Sequence, residues 1–271
     1  MTDATPDDLD AKALQLLEEA AKPKRRVRPR LARKLADAED LEVQTPHGPV
    51  MAWRLGVGPA SLLVHGWEDD NALWSPLIDA CAAIGRAIVV FDLPGHGYSP
   101  TEEFSLQAAG LAAVAVAEAL GPVDSVVAHS FGCPTSIYAL ANGLKVDHAV
   151  LIDSPIPRTG GGWSTDHWIR RQIERGADPK VARRASELMA ARAETSASSP
   201  VAAEEQIPGM TAKALIIHAM DDEQCPVGNS QKMAQLWPGA ELVLVDDLGH
   251  RLIAQDDVVL ERIITFVDDF Q

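Results

Sequence analysis

The segment that most restricts the fold is the apolar run Ser125-Val126-Val127-Ala128, which passes straight into His129-Ser130-Phe131-Gly132. Ser130 has a small residue two positions away on each side, Ala128 and Gly132. A small-x-Ser-x-small pattern after a strand suits a sharp strand-to-helix corner, where neighbouring backbone passes too close for larger side chains. Alanine at 128 stands where glycine is more usual. A chain with such a corner has to set an interior strand directly against a helix, and this selects an α/β layer architecture.

Further segments stand around this corner in a definite order. Ser61-Leu62-Leu63-Val64-His65-Gly66-Trp67 reads as a strand ending in a His-Gly pair, and Ala87 to Phe91 as a strand that enters the turn Asp92-Leu93-Pro94-Gly95-His96-Gly97-Tyr98-Ser99. Downstream, the strand Ala214 to Ala219 carries His218 and leads to Asp221-Asp222, with Pro226 beyond. The last strand, Glu241 to Val245, is followed by Gly249-His250.

In this order the segments resemble the α/β-hydrolase family over residues 42 to 271, with Ser, Asp and His in the family's chain order. The resemblance implies Ser130 as nucleophile, His250 as its base and Asp222 as the acid that orients the imidazole. Asp221 and Asp153, the latter at the end of the preceding strand, remain alternatives for the acid. The backbone N–H groups of Trp67 and Phe131 are the implied oxyanion donors. His65 and His96 fall where the family uses histidine for loop geometry; His129 and His218 are read as satisfying backbone groups near the site. His47, His148 and His167 lie outside every motif.

The function implied is a serine hydrolase cleaving a carboxylic ester or thioester through an acyl-enzyme on Ser130. Carbon-carbon bond hydrolases and cofactor-free haloperoxidase-like members are alternatives, and a non-catalytic small-ligand binder on the same fold is the alternative of another class. Serine at position 130 excludes the branches that form an alkyl ester on an aspartate. Glu68-Asp69-Asp70 beside Trp67 suggests an acidic entrance, hence a small neutral substrate.

The rest of the chain supplies a scaffold. Leu41–Thr45 and Val50–Leu55 around Pro46-His47-Gly48 read as an opening hairpin. Apolar strands then alternate with Ala-rich helical stretches such as Leu106–Leu120, the pattern of a mostly parallel central sheet with helices on both faces. Val146 to Ile152 adds a sixth strand and Val258 to Phe270 a closing helix. The expected organisation is a helical and basic extension at 1–40, a hydrolase core at 41–154 and 213–271, and a helical cap insertion at 155–212, after the sixth strand. Within the insertion, His167–Arg175 and Pro179–Glu194 look helical, and Trp163 and Trp168 either line the substrate pocket or anchor the insertion to the core.

Composition narrows partners. The 271 residues carry a formal charge of −15, which argues against nucleic acid. One local exception is the basic run from Lys22 to Lys34, read as either an arm for an anionic partner or an arm lying on the domain's own acidic surface. Three sparse cysteines, Cys81, Cys133 and Cys225, offer no disulfide framework and no zinc spacing. No apolar run approaches the roughly 20 residues that span a bilayer. The acidic N-terminus is unlike a secretory signal, so a cytoplasmic protein is expected. No Gly-rich phosphate loop follows a strand, and neither cofactor nor metal is expected. The expected partner is a small ester-like molecule, with the chain a monomer or dimer.

Overall fold

A computed structural model describes residues 6–28, 34–35, 38–156, 164–195 and 202–268. Eight strands form one sheet: β1 (Glu39–Val43), β2 (Val50–Leu55), β3 (Ala60–Val64), β4 (Ala87–Phe91), β5 (Val123–His129), β6 (His148–Ile152), β7 (Lys213–Ala219) and β8 (Glu241–Val245). Their order across the sheet is β1-β2-β4-β3-β5-β6-β7-β8. The opening hairpin pairs antiparallel with Val43 opposite Val50, and β2 is antiparallel to β4. All remaining pairings are parallel, as the alternation of strand and helix requires.

The parallel strands are apolar on both faces because both faces are covered. Leu62, Val64, Val126 and Ala128 point into one layer, shared with Ala112, Val116, Ile137 and Trp237. Their neighbours Leu63 and Val127 point into the other, with Leu77, Ile78, Leu260 and Ile263. The first layer is built by α3 (Leu106–Leu120), α4 (Gly132–Ala141) and α8 (Val227–Leu236), and the second by α2 (Ser75–Ala83) and α10 (Asp257–Val267), the latter preceded by the single turn α9 (Gly249–Leu252). The period of two along each strand thus divides one sequence between two cores.

Helix ends follow local chemistry. The Ser105 side chain accepts from the Ala108 N–H at the start of α3, and Asp256 accepts from the Val258 and Val259 N–H groups at the start of α10. Each such cap contributes about 1 kcal/mol. The closing helix ends at Val267, and the expected end at Phe270 lies outside the described residues.

Between β6 and β7 the chain forms α5 (Thr165–Glu174), α6 (Pro179–Thr195) and the short α7 (Ala202–Gln206), in agreement with the helical stretches expected there. Near the N-terminus, α1 (Pro6–Ala20) packs on α6, with Ala13, Ala182 and Ala185 buried. Asp10 accepts from Arg184 Nε and Nη2 at 2.5 and 3.0 Å, closing a contact over 174 residues of chain. Two described residues of the basic run meet the domain's own carboxylates: Arg28 meets Asp69 and Asp70, and Lys34 meets Asp79. No helix among the described residues is long and apolar enough to cross a membrane.

Candidate active site

Ser130 stands between β5 and α4 with φ +53°, a left-handed conformation that costs a non-glycine residue about 1–3 kcal/mol. The corner around it is crowded. A Cβ at Gly132 would lie 2.2 Å from the Val64 carbonyl oxygen, and one at Gly66 would lie 2.9 Å from Ser130 Cβ. Because the first clash is with backbone, no side-chain rotation relieves it. Gly132→Ala is therefore expected to lower stability by ~1–3 kcal/mol, a fall in melting temperature of roughly 3–10 °C by scanning calorimetry. An unchanged melting temperature would show that β3 yields freely here.

Ser130, His250 and Asp222 come from three different strand ends and meet in one hydrogen-bonded line. Ser130 Oγ and His250 Nε2 are 2.9 Å apart, and His250 Nδ1 and Asp222 Oδ2 are 2.7 Å apart. An ionised carboxylate only accepts, so the assigned tautomer carries its proton on Nδ1 and leaves Nε2 to accept from the serine hydroxyl. Asp222 is itself held by the backbone N–H groups of Gln224 and Cys225 at 2.7 and 3.0 Å. Burial works to raise its carboxyl, yet the hydrogen bond and charge of His250 and these backbone donors outweigh it and hold the group below its ordinary value.

The other two acids are placed differently. Asp221 accepts from the Gly249 N–H at 3.0 Å and leaves His250 to its neighbour. Asp153 is fully buried, accepts from the Ala219 N–H at 2.9 Å, and approaches His250 Nδ1 only to 3.9 Å. Burial, and then the charge of Asp222, push its carboxyl well above the ordinary range.

Four further histidines act as struts. His65 donates from Nδ1 to the Gly66 carbonyl at 2.8 Å and accepts from the Leu93 N–H at 3.1 Å. His96 donates to the Pro94 carbonyl at 2.8 Å and accepts from the Glu68 N–H at 3.0 Å. Both bind down the loop that carries Trp67. His218 bonds Ser230 Oγ and the Cys225 carbonyl at 2.7 and 3.0 Å. His129 donates from Nε2 to the His250 carbonyl at 2.6 Å, and burial pushes its pKa down to about 3, so it holds the His250 loop as a neutral ring. Asp153, His218 and Asp222 lie close enough for a metal ion to be considered; Asp222 Oδ2 is spent on His250 and the ring of His218 on Ser230 and the Cys225 carbonyl, while Asp153 Oδ2 has no hydrogen-bond partner among the described residues.

A cavity of about 220 Å³ opens beside Ser130. Trp67, Phe131 and Trp168 line it, while Trp163 lies outside the described residues. The N–H groups of Trp67 and Phe131 donate to no acceptor among the described residues. A larger hollow of about 620 Å³ runs along residues 140–147 and 206–212 but contains no pairing of a nucleophile with a base.

The acidic entrance expected from residues 68–70 is corrected by the structure, and the case for a neutral substrate falls with it. Glu68 is fully buried and takes both Arg171 and Arg175, while Asp69 takes Arg28 and Arg251. Arginines from distant segments neutralise the run. Arg171, Arg175 and Arg251 line the cavity and were missed from the sequence, although Trp168, Arg171, Gln172 and Arg175 recur at helical spacing along one face.

A mostly parallel sheet covered on both faces, with a serine, a histidine and an aspartate joined at the ends of its strands, defines the class of α/β hydrolases. The chain belongs to the alpha/beta hydrolase family, whose sequence model matches residues 62–262. It is 25% identical over 236 residues to a pimeloyl-[acyl-carrier protein] methyl ester esterase of Nitrosomonas europaea, covering 72% of this chain and 90% of that protein. A 46-residue match at 41% identity to the protein of the same description from Xylella fastidiosa spans 17% of this chain and 18% of that protein. Among solved structures, a carboxylesterase from Bacillus subtilis superposes with a TM-score of 0.68 at 16% identity, covering 97% of this chain and 99% of that one. An esterase from Exiguobacterium antarcticum gives a TM-score of 0.68 at 16% identity, covering 85% and 100%.

Proposed function

We propose that the protein is a serine esterase that hydrolyses a small carboxylic ester through an acyl-enzyme on Ser130. The observation that carries this reading is the continuous line from Ser130 Oγ through His250 to Asp222, at 2.9 and 2.7 Å, facing a cavity. Ester hydrolysis by the relatives named above supports the same chemistry.

In this reading Ser130 Oγ attacks the ester carbonyl as its proton passes to His250 Nε2, and Asp222 stabilises the imidazolium that forms. The carbonyl oxygen becomes an oxyanion within reach of the Trp67 and Phe131 N–H groups, which are spent on no other bond among the described residues; each donor contributes about 10²–10³ in rate. The tetrahedral intermediate collapses, and the alcohol leaves with the proton from His250. Water then attacks the acyl-serine, giving its proton to His250; collapse releases the carboxylic acid and returns a proton to Ser130. The proton transfers between Ser130 and His250 run between atoms already in contact, which supplies part of the proximity such catalysis needs.

Residues 155–212 act as a cap over the serine, and the extension at 1–40 contributes to the same roof. Trp168 from α5, Met189 from α6 and Ala20 from α1 all line the cavity, which supports this division. Part of the wall therefore comes from three helices that lie outside the sheet, the rest from loops at the strand ends.

Labelling with a fluorophosphonate tests the reading whatever the natural substrate is, because the probe reacts with any activated serine. Covalent modification is expected at Ser130 in the wild type and at no residue in Ser130→Ala, located by peptide mass spectrometry. Well-folded wild-type protein that resists labelling over hours would defeat the esterase assignment.

A further inference from the structure

We propose that the arginine wall of the Ser130 cavity binds a carboxylate, so that the ester presented to Ser130 carries a free carboxylate, as in the monoester of a short dicarboxylic acid. This rests on the esterase reading and deepens it. The groups concerned are Arg171 and Arg175, from α5 and the turn after it, and Arg251, the residue next to His250.

The wall holds more positive charge than its own acids balance. Arg171 Nη2 reaches Glu68 Oε2 at 2.6 Å, and Arg175 bonds the same oxygen. Arg28 and Arg251 bond Asp69 at 2.7 and 3.2 Å, and Arg28 also reaches Asp70 at 3.4 Å. Four guanidinium groups therefore face three carboxylates. Burial, and then the adjacent Arg175, lower the hold of Arg171 on its proton, while its bond to Glu68 opposes them.

The geometry leaves room for that anion. Each of the three arginines spends a single nitrogen on the carboxylates just named, out of the five N–H donors a guanidinium carries. A carboxylate suits the planar fork of these donors, and the wall's bonds to Glu68 and Asp69, through one nitrogen of each arginine, leave donors over for it. The cavity, at about 220 Å³, lies below the roughly 300–1,000 Å³ of drug-sized ligand sites, so the substrate is short. Outside it, an open groove of about 470 Å³ shares Arg171 and Arg251 and adds Arg26 and Arg170, the latter paired with Glu223. On a chain with a formal charge of −15 this groove is a local cationic approach that steers an anion towards Ser130.

Two measurements separate this inference from the reading beneath it. In the first, kcat/KM for mono-4-nitrophenyl glutarate is compared with that for the same ester methylated at its far carboxylate. The charged ester is expected to be preferred at least about tenfold in the wild type, the ratio falling towards one in Arg171→Gln and in Arg251→Gln, and falling with added salt. A ratio within one protein is insensitive to how much of a variant is folded. Preference for the methylated ester would overturn the proposal.

In the second, calorimetry on Ser130→Ala compares monomethyl with dimethyl glutarate. Tighter binding of the monoester, lost when Arg171→Gln is added, supports the carboxylate site. Equal binding of the two refutes it, whatever Ser130 does. Selective monoester binding in a protein whose wild type neither labels with fluorophosphonate nor cleaves either ester would keep the carboxylate site and sink the esterase reading.

Discussion

Replacing Ser130 by alanine is expected to lower kcat on an activated ester by about 10⁶-fold, the size of loss that follows removal of the nucleophile from a working triad. The expectation is so large because Ser130 supplies the hydroxyl in line with His250, and the remaining groups of that line have no atom to acylate. A residual rate above that in water is also expected, since the N–H groups of Trp67 and Phe131 remain to meet an oxyanion. Alanine fits the left-handed backbone at φ +53° no worse than serine, so the fold should survive. The check is a steady-state assay with 4-nitrophenyl acetate beside a thermal melt. A well-folded variant that kept more than a tenth of the activity would place the nucleophile elsewhere.

The second large effect separates the two buried acids. Asp222→Asn is expected to reduce kcat by about 10⁴-fold with little change in fold. An amide offers an N–H where the carboxylate accepted, which drives the His250 proton from Nδ1 to Nε2 and leaves no lone pair towards Ser130 Oγ. Asp153→Asn is expected to cost less than about tenfold, because Asp153 stands 3.9 Å from Nδ1 and accepts instead from the Ala219 N–H. The sign for pH follows from the opposite shifts. The Asp222 contribution to stability is present above the ordinary carboxylate value and is lost as pH falls through its lowered folded value; burying Asp153 becomes costlier as pH rises from the ordinary value through its raised one. Equal losses in the two variants, measured by kcat at neutral pH, would mean that the pair works as a unit.

Much of the site was legible because its signals are local. The corner at Ser130 needs small neighbours within two residues, and Gly132 stands against the Val64 carbonyl where no side chain fits. His65 and His96 sit beside the loops they pin, so motif position sufficed to read them as struts. The acidic run at 68–70 misled for the opposite reason. Its charge is real, but Arg171 meets Glu68 across 103 residues of chain and Arg251 meets Asp69 across 182.

From the amino-acid sequence alone come the strand order along the chain and the covering of the sheet on both faces, because periodicity acts over two to four residues; the serine and histidine come from the order of motifs that resemble the family. Tertiary structure alone decides which aspartate reaches His250, how the acids beside Trp67 are neutralised, and that the N-terminal helix rests on α6. Those choices depend on distances of a few ångströms between segments brought together only when the sheet closes, where burial and pairing set the charge that each group can hold.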